Sequence, residues 1–198
     1  MRKLILASSS PRRRQLLERE GYKFQTLTVE ISEIFEENLN LEEALKEVTR
    51  KKAEAVIKSG KLLNLKDFLI LSGDTIVVLE GEILGKPKNS AQAVEYLTRL
   101  SGKTHSVMTG ICLWDGLSGE VVLDIGRSQV TFNELSKEQI QAYVDSGDPM
   151  DKAGAYGIQT VEKGFIKSID GSIENVMGLP IELVQHWLVK KKWDVDKK

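Results

Sequence analysis

Short apolar runs alternate along the chain with longer stretches in which apolar residues recur every three or four positions. The runs at residues 4–7 and 68–71 have the length and composition of buried strands. The helical spacing is found at residues 11–20 and again at residues 41–59, and each of these stretches is followed by a glycine. The pattern therefore predicts alternating strands and helices from the beginning of the chain.

Polar residues at fixed spacing mark where several helices begin. Asn40 with Glu43, and Ser136 with Gln139, have the spacing of capping boxes, in which the two side chains bond to each other's backbone amides. Ser90 precedes another helical stretch and is predicted to cap it. These signals predict helices after residues 40, 90 and 136.

Glycine-containing turns divide the remaining apolar stretches into strands. Turns are predicted at residues 80–81 and 116–119, the second between two long strands. A further hairpin is predicted to turn at residues 170–171, and Pro180 is predicted to open a last helix. Taken together, the elements predict an α/β fold with a mixed, twisted sheet flanked by helices on both faces.

The length of 198 residues, without repeats or a Pro/Gly-rich linker, predicts one domain over residues 1–198. The lysine-rich end, from about residue 191 to 198, is predicted to be a frayed tail.

Charge and composition limit the partners. The 28 Lys and Arg residues nearly balance 29 Asp and Glu residues, so we expect no nucleic-acid partner, and any anion site must be local. The apolar runs are too short for a signal-peptide core or a membrane span, and we expect no membrane association. The one cysteine, Cys112, fits a reducing compartment, and a cytoplasmic location is expected.

The first predicted helix begins with three consecutive arginines, residues 12–14, where the helix dipole disfavours cations. A bound phosphate would remove this conflict, because the backbone amides, the Ser8 and Ser10 hydroxyls and the Arg12 and Arg13 guanidinium groups could cradle it together. In the alternative, the arginines are solvated and Ser10 only caps the helix.

Asp74 follows a buried strand and precedes Thr75, a place where α/β enzymes often gather catalytic groups. A carboxylate there could hold Mg²⁺ or accept a proton from water. As a lone aspartate after glycine, Asp74 could equally be a turn residue.

Three other charged residues could act together with Asp74 and the arginines. Glu33 lies in an acidic stretch, Lys52 borders the apolar face of its predicted helix, and Lys86 lies between glycine and proline. Each alone is typical of a surface charge. Together they supply the oxygen ligands and fixed cations that phosphoryl chemistry requires.

Residues 148–159 are rich in glycine, alanine and small polar residues. The stretch is predicted to be an ordered loop in which backbone groups or the Gln159 amide could read a base edge. The alternative is an ordinary tight connection in which Asp151 and Lys152 are solvated.

Five blocks of the sequence resemble, in order and approximate spacing, the Maf family of nucleoside triphosphate pyrophosphatases. The blocks are "LASSSPRRRQLL", "SGDTIVVLEGEILGKP", "LSGKTHSVMTG", "SGDPMDKAGAYGIQ" and "NVMGLP". The resemblance implies an architecture like that of the inosine triphosphatases, with a cleft between two lobes, and a possible homodimer. It also implies hydrolysis of a nucleoside triphosphate to the monophosphate and pyrophosphate with a divalent cation, with Mg²⁺ expected and Mn²⁺ or Co²⁺ as alternatives.

The resemblance further implies roles for individual residues. Asp74 would be the proton acceptor, and Glu33 and Asp74 would hold the metal. The triphosphate would be bound by Ser8, Arg13, Lys52 and Lys86. Substrate choice would depend on Arg12, Thr75 and Gln159.

The "AYGIQ" block resembles the branch of the family that acts on dTTP and UTP. Two other functions stay open at this point. One is a nucleotide-binding regulator of cell division with little hydrolysis. The other is a house-cleaning pyrophosphatase for modified nucleotides such as 7-methyl-GTP or ITP.

Overall fold

Strands and helices alternate along the chain as the hydrophobic pattern predicts. The computed structural model describes residues 1–31, 39–62, 65, 67–161 and 164–197, except the side chains at 159 and 161. The strands are β1 (Lys3–Ala7), β2 (Phe24–Thr26), β3 (Phe68–Leu79), β4 (Glu82–Leu84), β5 (Thr104–Asp115), β6 (Val121–Phe132) and β7 (Ile166–Gly171). The helices are α1 (Pro11–Arg19), α2 (Leu41–Lys58), α3 (Ser90–Leu100), α4 (Lys137–Asp145), α5 (Ile173–Met177) and α6 (Ile181–Lys190).

Within the described residues, seven strands form one sheet in the order β2-β1-β3-β5-β6-β7, with β4 paired to β3. β1 runs parallel to β2 and β3, whereas β4 is antiparallel to β3 and β7 is antiparallel to β6. The predicted mixed sheet with helices is therefore confirmed. Its register places Ala7 opposite Ser72, so the next residues, Ser8 and Gly73, follow at the same end of a parallel pair.

The chain divides into two compact units. The first comprises Met1–Asp74, Thr109–Gly126 and Gly178–Lys198, and the second comprises Thr75–Met108 and Arg127–Met177. An apolar cluster in the first unit includes Ile5, Ala53, Val56, Phe68, Ile70 and Cys112. A larger cluster in the second unit includes Leu84, Leu97, Phe132, Tyr143, Tyr156 and Phe165.

The predicted capping boxes are both present. Asn40 Oδ1 accepts the Glu43 amide at 3.0 Å, and Ser136 Oγ accepts the Gln139 amide at 3.2 Å. The prediction that Ser90 caps α3 is wrong by one residue, because Asn89 Oδ1 accepts the Gln92 amide at 2.9 Å. These local bonds satisfy amides that have no partner within the helix.

The segment after β7 differs from the predicted hairpin. The strand ends at Gly171, and Ser172 Oγ then accepts the Asn175 amide at 3.2 Å, which starts helix α5. A serine that bonds an amide three residues later acts as an N-cap, so the prediction of a second strand here is wrong.

The end of the chain is docked rather than frayed. Trp193 is buried, and isolated bridges join Val195 to Arg2 and Lys197 to Tyr22. The prediction of a frayed tail from about residue 191 is wrong for residues 191–197, because this segment belongs to the first unit and buries the apolar Trp193 side chain there. Among the described helices, none is long and apolar enough to cross a membrane.

Candidate functional site

The turn between β1 and α1 is organised by Ser8. Ser8 Oγ accepts the Ser10 amide at 3.2 Å and lies 3.1 Å from Arg13 Nη1, which donates to it. Ser10 occupies the predicted N-cap position, but its side chain makes no capping bond. The Ser8 hydroxyl therefore links the end of the strand to the first turn of the helix.

Arg13 is the arginine of this turn that the fold buries. Its exposed fraction is 8%, and its Nε donates to the Gly178 carbonyl oxygen at 2.7 Å. Arg12 is half-buried and Arg14 is exposed. The alternative in which all three arginines are solvated is therefore wrong for Arg13, whose guanidinium group is held from two sides.

Gly73 makes room for that guanidinium group. A Cβ atom at this position would lie 3.2 Å from Arg13 Nε and 3.2 Å from the Gly110 carbonyl oxygen, tighter than an ordinary contact. The absence of a side chain at residue 73 thus lets Arg13 approach β3 directly beside Asp74.

Asp74 forms an ion pair with Lys52 of α2. Lys52 Nζ lies 2.6 Å from Asp74 Oδ1, and the two side chains are 14% and 13% exposed. Asp74 lies within β3, which continues through Gly73 and Thr75 without a break, so the interpretation of Asp74 as a turn residue is wrong. Because the contact engages one carboxylate oxygen, Asp74 also presents Oδ2 as an acceptor.

The buried hydroxyl groups of Ser72 and Thr49 lie near the residues of this ion pair along the chain. Ser72 Oγ donates to the Thr49 carbonyl oxygen at 2.6 Å, and Thr49 Oγ1 donates to the Leu45 carbonyl oxygen at 2.6 Å. Both residues are fully buried, and Thr49 precedes Lys52 by almost one helical turn. The Ser72 bond joins β3 to α2 near the Lys52–Asp74 ion pair, whereas the Thr49 bond lies within α2.

The sequence contains signals for both of these supporting residues. Ser72 interrupts an apolar strand, and Thr49 lies on the apolar face of α2. Buried hydroxyls of this kind need partners, which makes them markers of fixed backbone contacts. No local signal identifies Gly178, which follows Arg13 by 165 residues.

Three predicted site residues belong to the second unit. Thr75 is half-buried on β3, directly after Asp74, and Lys86 is exposed in the loop that follows β4. The backbone of Gln159 lies in a short 3₁₀ turn, Ile158–Val161, and its side chain is outside the described part of the chain. The structure therefore brings together Ser8 with Arg13, and Lys52 with Asp74, within the first unit.

The predicted metal ligands are Glu33 and Asp74. Glu33 lies outside the described residues. Among the residues that are described, no group of three or more His, Cys, Asp or Glu side chains could hold a metal ion. Asp74 nevertheless supplies a hard carboxylate oxygen of the type that Mg²⁺ prefers. Among the two predicted ligands, Asp74 is thus a described donor that such a cation could use.

Two buried groups have pKa values far from their ordinary range. Burial lowers the pKa of His105 to about 4 and raises the pKa of the Cys112 thiol to about 12. His105 Nε2 lies 2.6 Å from Tyr156 Oη, whose pKa burial raises as well. Both His105 and Cys112 are therefore uncharged at neutral pH, and neither has the character of an acid–base or nucleophilic group.

Comparison with known proteins bears on the family of this chain. A family model described as Maf-like protein matches residues 3–191. A dTTP/UTP pyrophosphatase of Bdellovibrio bacteriovorus is 43% identical over 187 residues, which cover 94% of this chain and 97% of that protein.

Two further relatives extend over nearly all of both chains. A dTTP/UTP pyrophosphatase of Caldicellulosiruptor bescii is 40% identical, covering 100% of this chain and 98% of the relative. Another dTTP/UTP pyrophosphatase, from Bacillus thuringiensis subsp. konkukian, is 42% identical. The match covers 99% of this chain and 98% of that protein. The order of the sequence blocks, the family match and these full-length relatives agree: the chain belongs to the Maf family.

Proposed function

We propose that this chain is a nucleoside triphosphate pyrophosphatase that hydrolyses dTTP and UTP to the monophosphate and pyrophosphate. The observation that carries the proposal is the Lys52–Asp74 ion pair on the strand against which the buried Arg13 packs. A fixed carboxylate beside fixed cations is what water attack on a bound triphosphate requires. The full-length relatives named dTTP/UTP pyrophosphatase support the substrate.

In this mechanism the cations bind and orient the triphosphate. Arg13 is held by hydrogen bonds to Ser8 and Gly178, so little conformational entropy is lost when it meets a phosphate. Lys52 and the exposed Lys86 would add positive charge along the triphosphate. These groups counter the negative charge that develops on the departing pyrophosphate.

In this mechanism Asp74 accepts the proton of the attacking water. Lys52 Nζ bonds Asp74 Oδ1, which holds the carboxylate in one orientation and leaves Oδ2 to accept the proton. The water oxygen would form a bond to the α-phosphorus while the bond to the bridging oxygen breaks, and that oxygen leaves with pyrophosphate. Arg12, Thr75 and Gln159 are assigned to substrate choice.

A divalent cation is assigned to Glu33 and Asp74, with Mg²⁺ expected and Mn²⁺ or Co²⁺ as alternatives. When bound, such an ion would supply neutralising charge to the phosphate oxygens. The family match across residues 3–191 supports one Maf-like domain. The cytoplasmic location and the homodimer stay predictions from the sequence.

The test is pyrophosphate release from dTTP, UTP, CTP, 7-methyl-GTP and ITP in the presence of Mg²⁺. We expect rapid release from dTTP and UTP, and a loss of roughly 10²-fold or more in turnover for Asp74→Asn. Asp170→Asn, at an exposed position of β7, is the matched control. Release that returns at high Mg²⁺ would identify Asp74 mainly as a metal ligand rather than a base.

Two outcomes would contradict the proposal. Nucleotide binding without release from any substrate would favour the regulator of cell division. Fast release from 7-methyl-GTP or ITP, with little from dTTP or UTP, would favour the house-cleaning function.

A further inference from the structure

Lys152 is a buried cation whose partners all lie in one loop of the second unit. Its exposed fraction is 6%, so the interpretation of Lys152 as a solvated residue is wrong. Its Nζ donates to the Asp148 carbonyl oxygen, to Asp148 Oδ1 at 3.0 Å and to Asp151 Oδ1 at 2.7 Å. An ammonium group has three donors, and this loop occupies all of them.

The loop is also fixed from the side of α4. Tyr143 Oη donates to Asp148 Oδ2 at 2.6 Å, so this carboxylate is bound through both of its oxygens. Loss of the Lys152 ammonium group would remove a cation that the carboxylates of Asp148 and Asp151 share. Repulsion between the two charges would then favour a more open loop.

The residues that follow Lys152 have a strained backbone. Gly154 and Ala155 have φ values of 68° and 60°, in the left-handed region, and Ala155 is fully buried. For a residue with a Cβ atom this conformation is unfavourable, because the Cβ atom comes too close to the following carbonyl oxygen. Such a conformation persists only where neighbouring contacts impose it. The Ala155 amide donates to the Lys152 carbonyl oxygen at 3.1 Å, so a shift of the backbone at residue 152 would pass directly to Ala155.

This strained pair contacts the segment that carries Lys86. The Gly154 amide donates to the Gly85 carbonyl oxygen at 3.1 Å, one residue before Lys86. A Cβ atom at residue 154 would lie 2.9 Å from both Val77 methyl groups, so the loop backbone lies directly on β3.

The same loop leads into the turn that carries Gln159. Tyr156, the residue after Ala155, is bonded through Oη to His105 Nε2 at 2.6 Å. Thr160 Oγ1 donates to the Gly157 carbonyl oxygen at 2.6 Å, which closes the turn around residue 159. One ordered loop therefore connects the Lys86 segment with the Gln159 turn.

We infer that Lys152 is a positioning residue for both substrate-binding segments of the second unit, an inference that rests on the proposed function. Its three hydrogen bonds hold the loop that fixes Lys86 through Gly85 and fixes the backbone of Gln159 through Tyr156. Loss of the ammonium group would misplace a triphosphate contact and a base contact together. Binding and base selectivity would then change more than the chemical step.

The test compares Lys152→Met with Lys137→Met, the same substitution at an exposed lysine of α4. For Lys152→Met we expect KM for dTTP to rise about 10-fold or more, with a smaller change in kcat, because displaced contacts weaken binding. We also expect the ratio of kcat/KM for dTTP over CTP to fall toward 1. Lys137→Met should retain the wild-type KM and ratio.

A merely stabilising role predicts a different result. Partial unfolding lowers the amount of active enzyme equally for all nucleotides, so KM and the selectivity ratio would stay at wild-type values. That result would overturn the inference and leave the proposed function intact. Tyr143→Phe removes one bond to Asp148 and keeps the ring. It should shift KM and the selectivity ratio in the same direction as Lys152→Met, but by less. This variant provides the test if Lys152→Met does not fold.

Hydrogen exchange separates failure of this inference from failure of the proposed function. The Gly154 and Ala155 amides should exchange faster in Lys152→Met than in Lys137→Met, whether or not the enzyme turns over any nucleotide. Unchanged exchange at both amides would overturn the role of Lys152 in the loop. Wild-type protein without pyrophosphate release would instead overturn the proposed function, and with it the role in substrate binding.

Discussion

Lys52 Nζ and Asp74 Oδ1 lie 2.6 Å apart in an ion pair that joins helix α2 to the interior of strand β3. Both side chains are largely removed from water, with 14% and 13% exposed. A charge in this environment depends on its partner, because the protein surroundings replace its hydration poorly. Stability and activity should therefore both respond when one member is removed.

Lys52→Met is expected to lower the free energy of unfolding by about 1 to 3 kcal/mol, because it leaves the Asp74 carboxylate without its ammonium group. Adding Asp74→Asn should recover much of this loss by removing the unpaired charge. Urea unfolding followed by tryptophan fluorescence measures both effects. Lys58→Met, at a lysine 73% exposed, is the control. Equal stability of the single and double variants would argue against energetic coupling in the pair.

Gly73→Ala is expected to raise KM for dTTP by roughly 10-fold, because the added methyl group would displace the Arg13 guanidinium group from β3. Steady-state kinetics of Gly73→Ala, Arg13→Ala and the double variant check this prediction. If Gly73 acts through Arg13, the second substitution adds little to the effect of Arg13→Ala. Fully additive losses would show that Gly73→Ala acts by another route.

The pKa of His105 gives the protein a specific acid sensitivity. Burial lowers this pKa from 6.5 to about 4. Between these two pH values His105 therefore binds a proton in the unfolded chain but not in the folded chain. The contribution to stability is thus present above pH 6.5 and is lost as the pH falls toward 4. Between pH 7 and pH 5 the loss amounts to about 2 kcal/mol.

Urea unfolding of His105→Gln at pH 7 and pH 5 tests this assignment. The variant should show a smaller pH dependence than the wild type, because its side chain does not titrate. His186→Gln, at the other histidine of the chain and an exposed one, is the control. A pH dependence that persists unchanged in His105→Gln would assign the acid sensitivity to carboxylates instead.

Cys112 is expected to resist thiol reagents in the folded protein. Burial raises its pKa to about 12, so at pH 8 about one thiol in 10⁴ is ionised, and the residue has no exposed surface. A chromogenic disulfide reagent should therefore react slowly with native protein and at once in concentrated urea. Rapid reaction without urea would show that the core around Cys112 opens readily.

Local signals in the sequence predict local structure well. The capping boxes at Asn40 and Ser136 lie where expected, because each depends on residues only three positions apart. The Ser172 cap of α5 is equally local, but the Asp170–Gly171 pair before it also predicts a hairpin turn. A glycine marks both the end of a strand and the turn of a hairpin. Here only the serine that follows the glycine distinguishes the two structures.

The candidate site was predictable in residue type but not in geometry. Arg13, Lys52 and Asp74 stand out because charges beside apolar stretches suggest a ligand or a partner. The contact of Arg13 with Gly178, however, is set by the tertiary fold and leaves no periodic trace in the sequence. Likewise, the sequence leaves a turn open as an alternative at Asp74, whereas β3 continues beyond its pairing with β1, which ends at Ser72, and includes Asp74.

The bond between Arg13 and Gly178 also sets an order of events during synthesis of the protein. The ribosome makes the carbonyl group that orients the Arg13 guanidinium group 165 residues after Arg13 itself. A nascent chain that ends before Gly178 already contains Ser8, Lys52 and Asp74 but lacks this acceptor. The arginine can therefore reach its binding geometry only after Gly178 has been made.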